Sequence, residues 1–217
     1  MLTLLMLILW PLIIFVFINL LILPFSFTIR SVFSIFTIPG EIIKIAFNKR
    51  LRQNHALEHA TINVIEEHYG KGLGLSGLAK ENGFFIKGPV EPQLVEKAAA
   101  IGLERLKMGE HHLAIHDNCG TSMAMANFVS SAAFLILLFK TGAFNIFNVF
   151  IALIIANLFG PLLGRVVQHV LTTSTDVSNV SIVGIDYNFV QPQGLLFFRP
   201  VVTGMYFVRT RMYRMGG

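Results

Sequence analysis

Cysteine is almost missing from this chain, and charge is scarce. A single cysteine, Cys119, stands among 217 residues, so no intrachain disulfide can form. A lone thiol suits a reducing compartment, where it becomes a candidate metal ligand or nucleophile. Charged residues make up 13% of the chain, about half the ~25% usual in soluble domains, and the mean hydropathy is +0.67. That shortage excludes an ordinary soluble domain and points to lipid. The first 29 residues carry no charge at all. Because no basic residue precedes this run and no small-residue cleavage site follows it, it reads as a retained anchor and not as a cleavable signal. A basic patch is lacking too: Arg50 to Gly120 holds eight Lys+Arg against nine Asp+Glu. The net charge of +5 resides instead in Arg30, Lys44, Lys49, Arg50 and Arg52, and in Arg199, Arg209, Arg211 and Arg214. Such flanking positions mark the cytoplasmic side of membrane spans. Nucleic acid is therefore not an expected partner; the lipid bilayer is.

What is present divides the chain into five stretches. A membrane-spanning helix needs about 20 apolar residues, and residues 1–25 supply the first, with Pro11 inside it. Residues 26–50 read as a membrane-surface segment, because Pro39-Gly40 interrupts the apolar run and Glu41 to Phe47 is amphipathic. A re-entrant or second span is the competing reading. Residues 51–122 form a small α+β domain. Residues 123–164 hold a helical hairpin of two spans, joined at Lys140 to Ala143. Residues 165–217 are a tail with strands at Val180 to Ile185 and Met205 to Arg211. With three spans, 16 of the 17 Lys+Arg fall on the side of the two polar pieces. This predicts a multi-pass protein with a cytoplasmic domain and an external N-terminus.

Within the polar block the spacing predicts a helix from Asn54 to Tyr69, capped by Asn54 and stopped by Gly70. A glycine-rich turn at Gly72 to Gly77 follows, then a strand at Leu78 to Lys87 and an Ala-rich helix at Glu91 to Leu106. A short strand at Leu113 to His116 leads into the turn Asp117 to Gly120. About 70 residues bury only about 60% of their surface alone, so the tail strands are expected to complete the core.

The motif with chemistry in it is His55-Ala-Leu-Glu58-His59. Residues four apart share one helix face, so both imidazoles can reach one cation. Glu58, beside His59, can serve as general base without ligating. This is the H-x-x-E-H inverzincin order of zinc sites. Six of the seven His, together with the only Cys, fall between residues 55 and 119. A zinc site with an open position needs a third protein ligand. The possible donors are Glu66, His68, His111, His112, His116, Asp117 and Cys119. Glu66 and His68 lie too far along the helix axis. Cys119, a strong thiolate donor, is the choice, with His116 in reserve.

His55-Ala-Leu-Glu58-His59 followed by Cys119-Gly120-Thr121 resembles the LuxS-type S-ribosylhomocysteine lyases, which have an H-x-L-E-H helix and a later C-G-T segment. The resemblance covers about residues 50–122. It implies the fold shared by those lyases and the processing-peptidase metallohydrolases, with His55, His59 and Cys119 as metal ligands and Glu58 as acid/base. The lyases' second, catalytic cysteine has no counterpart here, which argues against the same lyase chemistry. The whole chain more closely resembles an uncharacterised membrane-protein family with an N-H-A-L-E-H signature.

The sequence thus predicts a membrane-anchored Zn2+-dependent hydrolase, of peptidase type, acting on a membrane-protein segment or peptide at the cytoplasmic surface. A non-catalytic zinc-stabilised scaffold and a metal-dependent lyase or isomerase are the alternatives. Gly72, Gly74 and Gly77 lack the Lys-Ser/Thr of a phosphate loop and read as a turn. Gln168-His169, after the third span, could approach the site; a capped helix end with solvated side chains is the favoured reading.

Overall fold

The computed structural model describes residues 2–189 and 204–213; Arg199 and Arg214 lie outside them. The architecture is mixed, with long helices and one small antiparallel sheet. Among the described residues, three helices are long and apolar enough to cross a membrane: Leu9–Ala46, Gly120–Thr141 and Ile146–Thr172. The chain divides into two compact units. One comprises residues up to Gly40 with Met123–Leu163; the other comprises Glu41–Ser122 with the described residues from Gly164 on.

In the first unit, helix α1 runs unbroken over Leu2–Ala46, through Pro11, Pro24 and Pro39. The interruption expected at Pro39-Gly40 does not occur. A proline costs a helix one hydrogen bond, but an apolar segment without water has no other way to satisfy its backbone. At about 1.5 Å per residue α1 is about 68 Å long, roughly twice the hydrocarbon core of a bilayer. Helices α4 (Gly120–Thr141) and α5 (Ile146–Val167) form the hairpin. A Cβ added at Gly160 would stand 2.7 Å from Ala126 Cα, so the absent side chain is what lets the two backbones approach. Phe134, Leu138, Val149 and Ala152 form the core of this unit. Phe27 meets Phe134 edge-on at 4.9 Å, and Phe25 stacks on Phe144 at 4.7 Å, so α1 runs antiparallel to α4 here. Residues 9–23 are exposed on every side.

In the second unit, helix α2 spans Lys49–Tyr69, five residues longer at its start than the spacing suggests. Its cap is Asn48, whose Oδ1 accepts the Leu51 N–H at 3.1 Å, and not Asn54, which is buried inside the helix. Gly70 ends the helix at φ 88°, a conformation only glycine adopts cheaply. The expected single strand is a hairpin, β1 (Ser76–Lys80) and β2 (Gly83–Gly88), because Glu81-Asn82 turns the chain. Helix α3 spans Pro92–Lys107. The expected strand at Leu113 is a 3-10 turn, His111–Ala114. Strands β3 (Val180–Phe189) and β4 (Gly204–Met212) join the hairpin in the order β1-β2-β4-β3, all antiparallel. The tail therefore completes the sheet. Alternation decides which face is buried: Phe84, Ile86, Tyr206 and Val208 point into a core with Leu57, Ile65, Val95 and Leu103 of α2 and α3. Phe85 and Phe207, paired in register, meet on the other face at 4.6 Å.

Candidate metal centre

Helix α2 is buried along a polar face, which has to be satisfied from outside the helix. Gln53 donates to Asp176 O and Asn179 Oδ1. Asn54 donates to Lys80 O and accepts from Thr210 Oγ1. Asn63 donates to both Leu113 O and Ile115 O at 2.9 Å, which pins the segment before Cys119 onto the helix. Arg52, expected at the membrane surface, is half-buried and donates to Val170 O and Thr173 O.

The same helix presents the H-x-x-E-H residues. His55 Nδ1 lies 2.9 Å from Thr172 O, and His59 Nδ1 lies 2.7 Å from Ala114 O. A carbonyl only accepts, so each Nδ1 carries the proton and each Nε2 presents a lone pair. Thr172 is placed by a π-helical turn, Gln168–Thr172, at the end of α5, a local widening common at functional sites. Cys119 Sγ sits 3.2 Å from His55 Nε2. The donor atoms of His55, His59 and Cys119 all lie within 4.8 Å of one another. Around a tetrahedral zinc with bonds of about 2.0–2.3 Å, donors stand about 3.3–3.8 Å apart, so small side-chain shifts suffice for such an ion. His59 Nε2 is buried with no hydrogen-bond partner among the described residues. An orphaned lone pair in a dry site is costly, and a cation would satisfy it. The carbonyls behind both rings are the outer support that metal-bound histidines need. This cluster of three is thus able to hold a metal.

Glu58 is 4% exposed and accepts from the Ala79 backbone. Burial pushes its carboxyl up to about 8; His55 pulls against that shift. β1 passes directly over it, and a Cβ at Gly77 would collide with the carboxylate. Burial, and then His55, hold His59 well below the usual imidazole range. Burial likewise pushes the Cys119 thiol up. A cavity of about 340 Å³ opens onto His55, Glu58 and Cys119, with Gly77, Leu78 and Ala79 on its wall.

The remaining candidates stand elsewhere. His116, the reserve ligand, bonds Glu66 at 3.2 Å, and its ring lies 6.1 Å from that of His59. His68, His111 and His112 are exposed. Asp117 pairs with Arg165 at 2.8 Å. Gln168 corrects the reading of a solvated helix end: it is fully buried. Its Oε1 accepts the His116 N–H, and its Nε2 donates to His116 O and Ser122 Oγ. Nothing local in the sequence marks it, since its partners lie about fifty residues upstream. His169 is exposed, as expected.

A family model described as a domain of unknown function, DUF6391, matches residues 50–185, more than half of the chain. The chain belongs to the DUF6391 family. The DUF6391 stretch contains His55, Glu58, His59, Cys119 and the π-helical turn, whereas β4 and all of α1 lie outside it. An uncharacterized protein of Picosynechococcus sp. is 33% identical to this chain over 140 residues, which cover 57% of this chain and 66% of that relative, just under two thirds. No solved structure matches.

Proposed function

We propose that this DUF6391 protein is a membrane-anchored zinc-dependent hydrolase of peptidase type, acting at the cytoplasmic membrane surface. The observation that carries this reading is the convergence of two imidazole lone pairs and one sulfur, with a buried carboxylate alongside that is not a fourth donor of the cluster. His55, His59 and Cys119 would hold the ion. Zinc bound there supplies an electrophile for polarising a scissile carbonyl. Glu58 takes and returns the proton of the attacking water at its carboxylate oxygen, the role of the carboxylate in H-x-x-E-H sites. Thr172 O and Ala114 O keep both rings in one tautomer. The wall of the cavity, formed by Gly77, Leu78 and Ala79, gives an extended chain a place to lie. Two further considerations support the reading. The motif residues resemble those of the LuxS-type and processing-peptidase-like enzymes, and the distribution of Lys+Arg favours a cytoplasmic domain.

The test separates this from a zinc-stabilised scaffold. Glu58→Gln should keep its zinc, measured by elemental analysis of purified full-length protein. Membranes from cells making the wild-type chain should contain new protein N-termini that cells making Glu58→Gln lack. Equal sets of N-termini would reject hydrolysis. Unchanged zinc content in His55→Ala, His59→Ala and Cys119→Ala would reject the metal site itself.

A further inference from the structure

The membrane-type helices border a second cavity, apart from the metal cluster. Between α1, α4 and α5 lies a cavity of about 420 Å³. Hydroxyls and an amide converge on it: Ser31 and Ser34 from α1, and Asn127, Ser130 and Ser131 from α4. Arg30 is part of its lining, and among the described residues no carboxylate lines it. Arg30 takes part in none of the ion pairs of the described residues. Ser130 is 4% exposed, and its Oγ has no hydrogen-bond partner among the described residues. The rest of the wall is apolar, with Phe27, Phe33 and Leu153.

Each of these features has a chemical consequence. A buried hydroxyl without a partner is costly inside a protein and more so at membrane depth, where no water can replace the partner. Arg30 follows 29 uncharged residues, and a guanidinium at such a position pairs with an anion or pulls in water. A donor-rich pocket with one cation and no acid selects an anion carrying several acceptor oxygens, and phosphate is the commonest such group. An apolar rim beside those donors suits a ligand whose other end is hydrocarbon.

We infer that the cavity between α1, α4 and α5 is a binding site for the phosphate of an anionic phospholipid. Arg30 and the Ser31, Ser130 and Ser131 hydroxyls hold the phosphate oxygens, and the acyl chains lie along Phe27, Phe33 and Leu153. The inference is independent of the metal centre and stands or falls without it.

Full-length protein reconstituted in phosphatidylcholine vesicles, with trace spin-labelled phosphatidylglycerol or spin-labelled phosphatidylcholine, tests this by electron paramagnetic resonance. The immobilised lipid fraction should favour phosphatidylglycerol by about fivefold, the factor one basic residue contributes beside an anionic lipid. Arg30→Gln should abolish the preference and Ser130→Ala should reduce it, while Lys140→Gln, at the far end of α4, should leave it unchanged. Circular dichroism of each variant confirms folding, and Ser130→Ala, which removes a single oxygen, keeps the test alive should Arg30→Gln unfold. Equal immobilisation of the two lipids would overturn the inference, as would a preference that survives both substitutions. Displacement of the labelled lipid by excess inorganic phosphate would overturn the lipid assignment in favour of free phosphate.

Discussion

A carbonyl oxygen can only accept a hydrogen bond, and that restriction organises the candidate metal centre. Thr172 O and Ala114 O each take the Nδ1 proton of one imidazole, so both Nε2 atoms face the same space as lone pairs. The thiol is the remaining proton to remove. Burial pushes Cys119 above its ordinary range and the Glu58 carboxyl up to about 8; zinc binds thiolate and its charge favours the carboxylate, so metal uptake at neutral pH should release at least the thiol proton. The sign follows directly. Below the thiol pKa each unit fall in pH lowers the apparent affinity at least tenfold, and the dependence flattens once the thiol and the Glu58 carboxyl have both lost their protons. Burial keeps His59 neutral near pH 7, so it adds no competing proton there. Zinc titration calorimetry in buffers of different ionisation heat measures this release, and none at all would mean that the sulfur is not a ligand. Gly77 offers a second test. An added methyl would occupy the space of the Glu58 carboxylate, so Gly77→Ala should keep its zinc, lose hydrolysis as Glu58→Gln does, and cost about 1–3 kcal/mol in thermal unfolding. Full activity in Gly77→Ala would separate Glu58 from the reaction.

Among the elements, α1 poses a problem of length. Phe25 stacks on Phe144 at the turn of the hairpin, and the residues from Phe25 to Ala46 number as many as the 22 of α4. Those residues already have the length of one crossing, and the uncharged stretch before Pro24 cannot extend onward into water. In a bilayer α1 should therefore hinge at Pro24 and turn the residues before it back toward the side of Ala46. This departs from the external N-terminus that three spans imply. A cysteine at position 3 in a Cys119→Ser background should react with a membrane-impermeant maleimide only after the cells are permeabilised. Labelling of intact cells would instead place that end outside.

At the scale of the whole molecule, the candidate metal centre brings together three stretches far apart in sequence: α2, the segment from Ala114 to Cys119, and the π-helical turn after α5. A ligand that binds only the folded arrangement stabilises it, by about 2.7 kcal/mol at a hundredfold excess over its dissociation constant. A strong chelator should therefore lower the unfolding midpoint of the wild-type protein. His59→Ala should begin from a lowered midpoint and respond to the chelator no further. A chelator-insensitive wild type would deny the centre any share in holding these segments.

Local pattern alone determined a good deal of this. The lack of charge and the apolar runs required membrane-type helices, because backbone polar groups without water have few other structures open to them. The i, i+4 histidines lay on one helix face as a matter of helical pitch, and the turn around Cys119 was recognisable as the place of a third donor. The hairpin at Glu81-Asn82, the 3-10 turn at His111–Ala114 and the cap at Asn48 were not legible, since a residue or two of turn chemistry decides each of them. Asn54 and Gln168 were misread as a cap and a solvated end because their partners, Lys80 and Thr210 for one and His116 and Ser122 for the other, are remote in sequence. Only the tertiary structure decided how near the sulfur comes to the rings, which carbonyls fix the tautomers, and that Gly77 lies over Glu58. Those are distances between segments, and they depend on how the whole chain packs and not on any window of it.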